Sequence, residues 1–253
     1  MYLREGAQIK KVLLINPRRR GENTGSAWPH LGLTILATIL KNSGFVPLVV
    51  CYSYAQDAPD VEYFVREFDP DVVGVTMWTS CVDEARRIID NILGVKTIPI
   101  IVGGPHATLY CQDLVSDMPI SYIVTGEAEE IIADVVRHAE VQQQPVVVHS
   151  PVPDVTRLPF PDFRLCYNYE EMTVKPIQLS RGCPFNCSFC EVSKLFGRKA
   201  RLREIGPCIE EILEGKAMLP SVKQIRIVDD APTTRLDRFI DFLKMYIDAG
   251  LKL

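Results

Sequence analysis

The chain has 253 residues, enough for one large domain or two of medium size, and 47% of them are hydrophobic, as in ordinary soluble globular proteins. A net charge of −4 without a basic block argues against nucleic acid as a partner. The longest apolar stretches are strand-length, too short for a membrane span, and residues 1–10 lack a signal-peptide core, so the expected location is cytoplasmic.

Residues 11–17 are a short apolar run ended by proline and read as a buried parallel strand. Residues 18–29 are polar and rich in Gly, Asn and Ser, hence a loop. A helix is expected over 31–42, closed by Ser43 and Gly44. Then follow a strand over 45–52, a short helix over 61–68, a strand over 71–78, and a helix over 82–93 stopped by Gly94. A fourth strand over 98–102 runs into Gly103, Gly104, Pro105 and His106. A helix over 109–117, a fifth strand over 121–125 and a helix over 127–140 complete the series. Glu127, Glu129 and Glu130 fall in the first turn of that last helix, where the helix dipole favours acids.

Strand and helix alternate five times, which gives a doubly wound α/β domain of Rossmann-like type with a parallel sheet. Such sheets bind ligands at the carboxyl ends of their strands. No G-x-G-x-x-G fingerprint or P-loop occurs there, so a nucleotide cofactor bound in the usual way is disfavoured. Pro145, Pro151, Pro153, Pro159 and Pro161 crowd the boundary at 146–168, which excludes long helices and central strands and reads as a semi-rigid linker.

Residues 176–180 are a strand that leads into Arg181-Gly182-Cys183-Pro184-Phe185-Asn186-Cys187-Ser188-Phe189-Cys190. The C-x3-C-x2-C spacing is too tight for a helix or strand to aim three thiols at one point, while Gly182 and Pro184 favour a loop that can. Three convergent thiolates suit a soft metal. Zinc sites and ordinary iron–sulfur clusters take four protein ligands, so three leave one iron of a cubane open for a substrate or cofactor. A zinc knuckle completed by a distant Cys or His is the alternative. The other five cysteines (Cys51, Cys81, Cys111, Cys166, Cys208) are scattered and read as small buried apolar residues.

Residues 194–203 carry five basic side chains, expected to form a solvated face. A helix over 204–215 with a glycine stop, a strand over 222–228 ending in Asp229 and Asp230, and a helix over 234–249 ended by Gly250 follow. Residues 251–253 look like the beginning of a third strand of this second part.

At the cysteines the sequence resembles the radical S-adenosylmethionine (radical SAM) enzymes, whose signature C-x3-C-x-aromatic-C is met with Phe189 as the aromatic. The resemblance implies that Cys183, Cys187 and Cys190 hold three irons of a [4Fe–4S] cluster, and that the fourth iron chelates S-adenosylmethionine. It implies Phe189 near the adenine. Asp229 and Asp230 stand where these enzymes carry an acidic stretch for the cofactor's amino group. Strand alternation turns only one of the two inward, without saying which.

Upstream, the runs 29–33 (PHLGL), 103–108 (GGPHAT) and 125–129 (TGEAE) resemble the cobalamin-binding domain that precedes the radical SAM core in one large subgroup; 158–162 (LPFPD) resembles its linker. The D-x-H-x-x-G motif is absent, so the resemblance implies cobalamin bound without a histidine on cobalt. His30 and His106 are the histidines near the expected face. Thr79, Ser80, Gly103, Gly104, His106, Gly126 and Glu127 are the implied cobalamin-binding residues.

The implied organisation is a cobalamin-binding domain over 1–148, a proline-rich linker over 149–175, and the first β/α units of a partial TIM-barrel radical SAM core over 176–253. The implied activity is reductive cleavage of S-adenosylmethionine to drive radical chemistry. Methyl transfer to an unactivated carbon or phosphorus leads, with cyclisation or ring rearrangement as the alternative. A small-molecule or peptide substrate and an electron donor such as flavodoxin or ferredoxin are the implied partners. Methylthio transfer would need a second three-cysteine cluster, and the surroundings of Cys51, Cys81 and Cys111 match that family poorly. A non-catalytic cobalamin or iron–sulfur module is the remaining reading. Because two strands and the start of a third cannot enclose a substrate, the chain is expected to be a fragment of a longer enzyme or to need a partner.

Overall fold

A computed structural model describes residues 10–18, 28–53 and 58–252. Most of the loop expected over 18–29 therefore lies outside the described residues. At the centre is β1 (Lys11–Asn16), a strand with no wet side: Val12 to Ile15 are all at most 2% exposed. Successive side chains of a strand point to opposite faces, so both faces must be covered. Leu13 and Ile15 join one apolar cluster with Val73, Val75 and Val102. Val12 and Leu14 join a second with Val49, Val72 and Ile101.

Around β1 stand β2 (Val46–Cys51), β3 (Val72–Thr76), β4 (Ile100–Gly103), β5 (Tyr122–Thr125) and β6 (Val146–His149). All pair in parallel, in the order β2-β1-β3-β4-β5-β6. The doubly wound fold is as expected. Strand order reverses between β1 and β3, and at such a switch point a crevice opens beyond the carboxyl ends. The sheet has one strand more than the sequence suggested. β6 lies in the proline-crowded stretch, but as an edge strand bracketed by Pro145 and Pro151 it obeys the restriction those prolines impose.

The covering helices are α1 (Leu31–Asn42), α2 (Val61–Glu67), α3 (Val82–Val95), α4 (Pro105–Leu109), α5 (Cys111–Asp117) and α6 (Ile132–Arg137). α1 ends at Ser43 and Gly44 as expected, with Gly44 at φ 88°. Gly94 does not stop α3, which runs on to Val95; a helix-interior glycine costs only about 1 kcal/mol. The helix expected over 109–117 is α5, and a further short helix, α4, precedes it, the two meeting at Tyr110. The helix expected over 127–140 is a 3-10 turn, Ala128–Glu130, followed by the short α6.

The proline-rich stretch is laid against the sheet domain. Phe163, Cys166 and Met172 are buried in the second apolar cluster. The Tyr167 N–H donates to Val49 O at 2.8 Å. Asp162 pairs with Lys41 of α1 at 2.7 Å, and its backbone N–H donates to Thr38 Oγ1 at 2.9 Å.

Beyond it, β7 (Val174–Ile177) and β10 (Gln224–Ile227) pair in parallel, connected through α8 (Ile205–Met218). Between β7 and α8 runs a short antiparallel ribbon of β8 (Ser180–Arg181) and β9 (Arg201–Leu202), with α7 (Val192–Leu195) inside its loop. α9 (Leu236–Asp248) follows β10, and Ile177, Leu179, Ile212 and Phe242 form the core of this part. α8 passes through Gly215 rather than stopping there, and the missing side chain leaves room for the fully buried Lys175. Residues 251–252 form no strand. Among the described residues no helix is long and apolar enough to cross a membrane.

Candidate functional site

Leu14, Gly74 and Ile101 are register partners across β1, β3 and β4, so they share one face of the sheet. A glycine in the middle of that row leaves a depression between two bulky neighbours. That depression is the floor of a cavity of about 390 Å³, with Leu33 and Leu36 of α1 opposite. The cavity continues past Gly103, Gly104 and Gly126 at the strand ends and reaches Arg181, Phe196 and Asp230 of the second part. It lies at the switch point, and its walls come from both halves of the chain.

Local backbone chemistry shapes its rim. Gly104 takes φ 96°, and a Cβ there would meet Thr76 Oγ1 at 2.7 Å and the Met77 backbone at 3.1 Å. This turn lets Met77 N–H donate to Gly103 O at 2.8 Å and His106 N–H donate to Met77 O at 2.9 Å. Thr108 Oγ1 donates to Gly104 O at 2.9 Å and accepts from Gly126 N–H at 3.0 Å, which ties the β4 and β5 loops together.

Of the expected cobalamin-binding residues, Gly103, Gly104, Gly126 and Glu127 line this cavity. Thr79, Ser80 and His106 do not. Thr79 and Ser80 are exposed on the turn after β3, where the Thr79 hydroxyl stands 3.1 Å from His106 Nδ1. The His106 ring lies against Tyr110 at 5.0 Å, and burial lowers its pKa. His30 accepts the Leu33 N–H at 3.1 Å and thereby caps α1. Thr76, Trp78 and Thr108 line the cavity and were missed. Thr108 carried a signal as the last residue of the 103–108 run, and Thr76 and Trp78 carried one by standing at the carboxyl end of the strand expected over 71–78.

Glu127 and Glu129 do not stand in the first turn of an α-helix, because a 3-10 turn occupies Ala128–Glu130 and α6 begins only at Ile132. Arg181 Nη1 donates to Glu127 Oε2 and to Glu129 Oε1, both at 2.6 Å. Arg201 Nη2 donates to Glu127 Oε1 at 2.6 Å, so both Glu127 oxygens are taken. The expected solvated basic face is thus only partly so. Lys194, Arg198 and Lys199 are exposed, whereas Arg201 pairs with Glu127 and Arg203 pairs with buried Glu211.

The three site cysteines lie in loop 182–200, closed at its base by the β8–β9 ribbon. Gly182 is required at the first position: its φ is 88°, and a Cβ would meet Lys199 O at 2.7 Å. Cys183 and Cys190 are partly exposed and Cys187 is exposed, all as free thiols. Cys190 N–H donates to Cys187 O at 3.1 Å, a turn that folds the pair together. The expected gathering of thiols is not complete, since among the described residues no three Cys, His, Asp or Glu side chains stand close enough to hold a metal ion. Cys51, Cys81 and Cys111 are likewise not gathered. Phe189 is 89% exposed and packs on nothing that would mark an adenine site.

The two aspartates after β10 have separate tasks. Asp229 accepts from Leu179 N–H at 2.7 Å and Ser180 Oγ at 2.5 Å, which fastens β10 to the segment entering β8. Asp230 accepts from Gly182 N–H at 3.0 Å and lines the cavity. Burial raises both pKa values, against hydrogen bonds from Ser180 and Leu179 on Asp229, and from Gly182 with the Arg181 charge on Asp230. Asp230 is therefore the inward-facing member.

Residues 19–136 match the B12 binding domain family. An uncharacterised methyltransferase of Pyrococcus horikoshii is 26% identical over 97% of this chain and 59% of its own length. A bacteriochlorophyllide d C-12(1)-methyltransferase of Chlorobaculum tepidum is 25% identical over 96% of this chain and 53% of its own. An anaerobic magnesium-protoporphyrin IX monomethyl ester cyclase of Cereibacter sphaeroides is 26% identical over 95% and 44%. The chain thus spans about half the length of the curated relatives it matches. Among solved structures, the radical S-adenosylmethionine methyltransferase TsrM of Kitasatospora setae superposes with TM-score 0.72, covering 94% of this chain and 51% of that one at 19% identity. The cobalamin-dependent S-adenosylmethionine radical enzyme OxsB superposes with TM-score 0.65, over 88% and 34%, at 17% identity. Over these matched parts the chain shares the fold of both.

Proposed function

We propose that this chain, a B12-binding domain followed by the opening strands of a radical SAM core, belongs to an enzyme that uses cobalamin, S-adenosylmethionine and a [4Fe–4S] cluster together. The observation that carries the reading is a cavity whose walls come both from the switch-point edge of the sheet and from residues beside the cysteine loop. A site for two cofactors that must face each other needs that construction. The donor sets fit. Cys183, Cys187 and Cys190 are free thiols, the soft ligands such a cluster takes. Asp230 supplies a carboxylate for the S-adenosylmethionine ammonium. Gly103, Gly104 and Gly126 let a flat macrocycle approach the backbone, and the apolar space behind Gly74 takes its appended group.

When bound, the cofactors supply a radical able to remove hydrogen from an unactivated carbon, and a methyl group to transfer. The chain's own task is to orient them and exclude water. Methyl transfer to carbon or phosphorus is the leading outcome, supported by the methyltransferase names of relatives matching over nearly the whole chain. Radical cyclisation is the second reading, supported by the cyclase relatives of similar coverage. A small molecule or peptide is the substrate class, and a low-potential donor such as flavodoxin or ferredoxin the electron source.

The test uses the full-length protein, reconstituted anaerobically with iron and sulfide and desalted after hydroxocobalamin is added. It should retain about four irons per chain, cobalamin, and the ability to form 5′-deoxyadenosine from S-adenosylmethionine under strong reduction. An intact, reduced cluster without 5′-deoxyadenosine refutes the enzyme reading. Loss of all cobalt on desalting refutes the assignment of the cavity.

A further inference from the structure

The β8–β9 ribbon sets Arg181 directly opposite Arg201. Like charges facing each other across an antiparallel pair repel. Each strand is two residues long, so few ladder bonds resist that repulsion. The neutralising charge comes from the other half of the chain. Glu127 bridges both arginines, and Glu129 takes a second bond from Arg181. All four side chains are at most 15% exposed, where an unpaired charge is expensive. Two features give this cluster a direction of influence. The ribbon closes the base of loop 182–200, which carries Cys183, Cys187 and Cys190. The glutamates sit on the turn after β5 that, with Gly126 and Ala128, walls the cavity.

We propose that the Glu127–Glu129–Arg181–Arg201 cluster couples the cavity to the cysteine loop. Docking of the glutamates holds the ribbon shut and so orders the loop. A ligand that fixes the 126–129 turn strengthens that docking, and an ordered loop favours the ligand by the same factor, because coupling is reciprocal. The role proposed for them is one of positioning, exerted through the ribbon and the 126–129 turn, although Glu127, Glu129 and Arg181 also line the cavity. The inference rests on the reading that the cavity takes cobalamin and the loop an iron–sulfur cluster.

Hydrogen exchange of the 182–200 segment in the full-length protein tests it, first without cofactors. Glu127→Gln leaves two opposed buried arginines short of a charge. Exchange in the loop should speed by about tenfold or more while β1 stays protected. The double variant Glu127→Gln/Arg201→Gln removes the opposed charge and should return the loop to within about threefold of wild type. An ordinary structural contact predicts no such rescue. Unchanged exchange in Glu127→Gln, or equal exchange in the single and double variants, overturns the proposal. Should Glu127→Gln unfold altogether, Arg201→Gln alone decides: loop exchange no faster than wild type supports the charge argument, and faster exchange overturns it.

Hydroxocobalamin is then added. It should slow loop exchange in wild type and leave it unchanged in Glu127→Gln. Bound cobalamin with unaltered loop exchange in wild type overturns the coupling. If wild type retains no cobalamin, the functional reading fails and with it the coupling to that ligand. The cofactor-free rates still decide whether the glutamates order the loop.

Discussion

Gly74 and Gly104 offer a paired test, because an added Cβ meets its nearest atom at 2.7 Å in both and yet the consequences should differ. At Gly104 the φ of 96° with ψ −173° lies in a region only glycine occupies freely, a strain of roughly 1–3 kcal/mol for any other residue. The new atom also meets Met77 N and O at 3.1 Å, backbone atoms held by the bond that Met77 N–H donates to Gly103 O and the bond that Met77 O accepts from His106 N–H. Gly104→Ala should therefore cost about 2–4 kcal/mol, or roughly 5–15 °C in Tm. At Gly74 the φ is ordinary and the only close atom is Leu14 Cδ2, the free end of a rotatable side chain bordering the cavity. Leu14 can swing into that space, and alanine is favoured over glycine within a strand by roughly 0.5–1 kcal/mol. Gly74→Ala should leave Tm within about 2 °C of wild type. It should nonetheless weaken cobalamin retention about tenfold or more, since a methyl and the displaced Leu14 fill the cavity floor. Thermal melts of the cofactor-free protein and optical spectra after desalting with hydroxocobalamin read both quantities. The reasoning is refuted if Gly74→Ala destabilises as much as Gly104→Ala, or if it binds hydroxocobalamin like wild type.

Replacing Cys183, Cys187 or Cys190 singly by alanine should abolish iron retention on reconstitution while leaving the melting curve of the iron-free protein within about 2 °C, because none of the three is buried; iron assay and calorimetry check this. Burial raises the Asp230 pKa, so its contribution to stability is favourable below the ordinary carboxylate range and lost as pH rises through the raised value. Asp230→Asn should thus raise Tm at pH 7 yet weaken S-adenosylmethionine binding by isothermal titration, and Asp229→Asn, at a carboxyl whose pKa burial also raises against the bonds from Ser180 and Leu179, should raise Tm at pH 7 as well. Asp162 behaves oppositely: burial would raise its pKa, but hydrogen bonds from Arg164 and Lys41 overrule it and bring it to about 2. The stability it adds is complete above about pH 4 and lost as pH falls through about 2, so urea midpoints of Asp162→Asn should fall less steeply with acid than those of wild type. Gly215→Ala, a change worth about 1 kcal/mol of stabilisation in an exposed helix, should instead destabilise, because its Cβ overlaps the buried Lys175 side chain; an increased denaturation midpoint would count against that packing.

The doubly wound fold was legible because a parallel sheet covered on both faces writes its strands as plain apolar runs, each ended by a turn signal. The run at 11–17 needs no partner sequence to be recognised. The cysteine loop was legible because its signal is local spacing. What escaped was set by partners far away in the chain. Glu127 and Glu129 read as first-turn acids, and only the approach of Arg181, more than fifty residues later, gives them their task. Arg201 and Arg203 read as solvated for the same reason. Gly94 and Gly215 read as helix stops, yet a glycine stops a helix only where the chain must turn away, and at Gly215 it makes room for Lys175. The inward member of the aspartate pair could not be chosen from alternation alone. The choice depends on the N–H of Leu179 and the hydroxyl of Ser180, which claim Asp229.

These distant charges also bear on how the two halves hold their relative setting. Apolar contacts such as Leu219 and Met172 in the second cluster join them, but apolar surface is non-directional and tolerates sliding. Buried ion pairs add little net stability, since desolvation offsets their attraction, yet losing one partner costs about 3–5 kcal/mol. They therefore penalise misplacement more than they reward contact. Glu127 with both oxygens engaged, on Arg181 and on Arg201, admits one arrangement of the β5 turn against the ribbon. On the proposed reading that is the arrangement that matters, because the same turn borders the cavity and the same ribbon bears the cysteines. A two-cofactor site needs its distance fixed more than it needs its domains tightly bound, and the pairing of Glu127 with Arg181 and Arg201 fixes it at that seam.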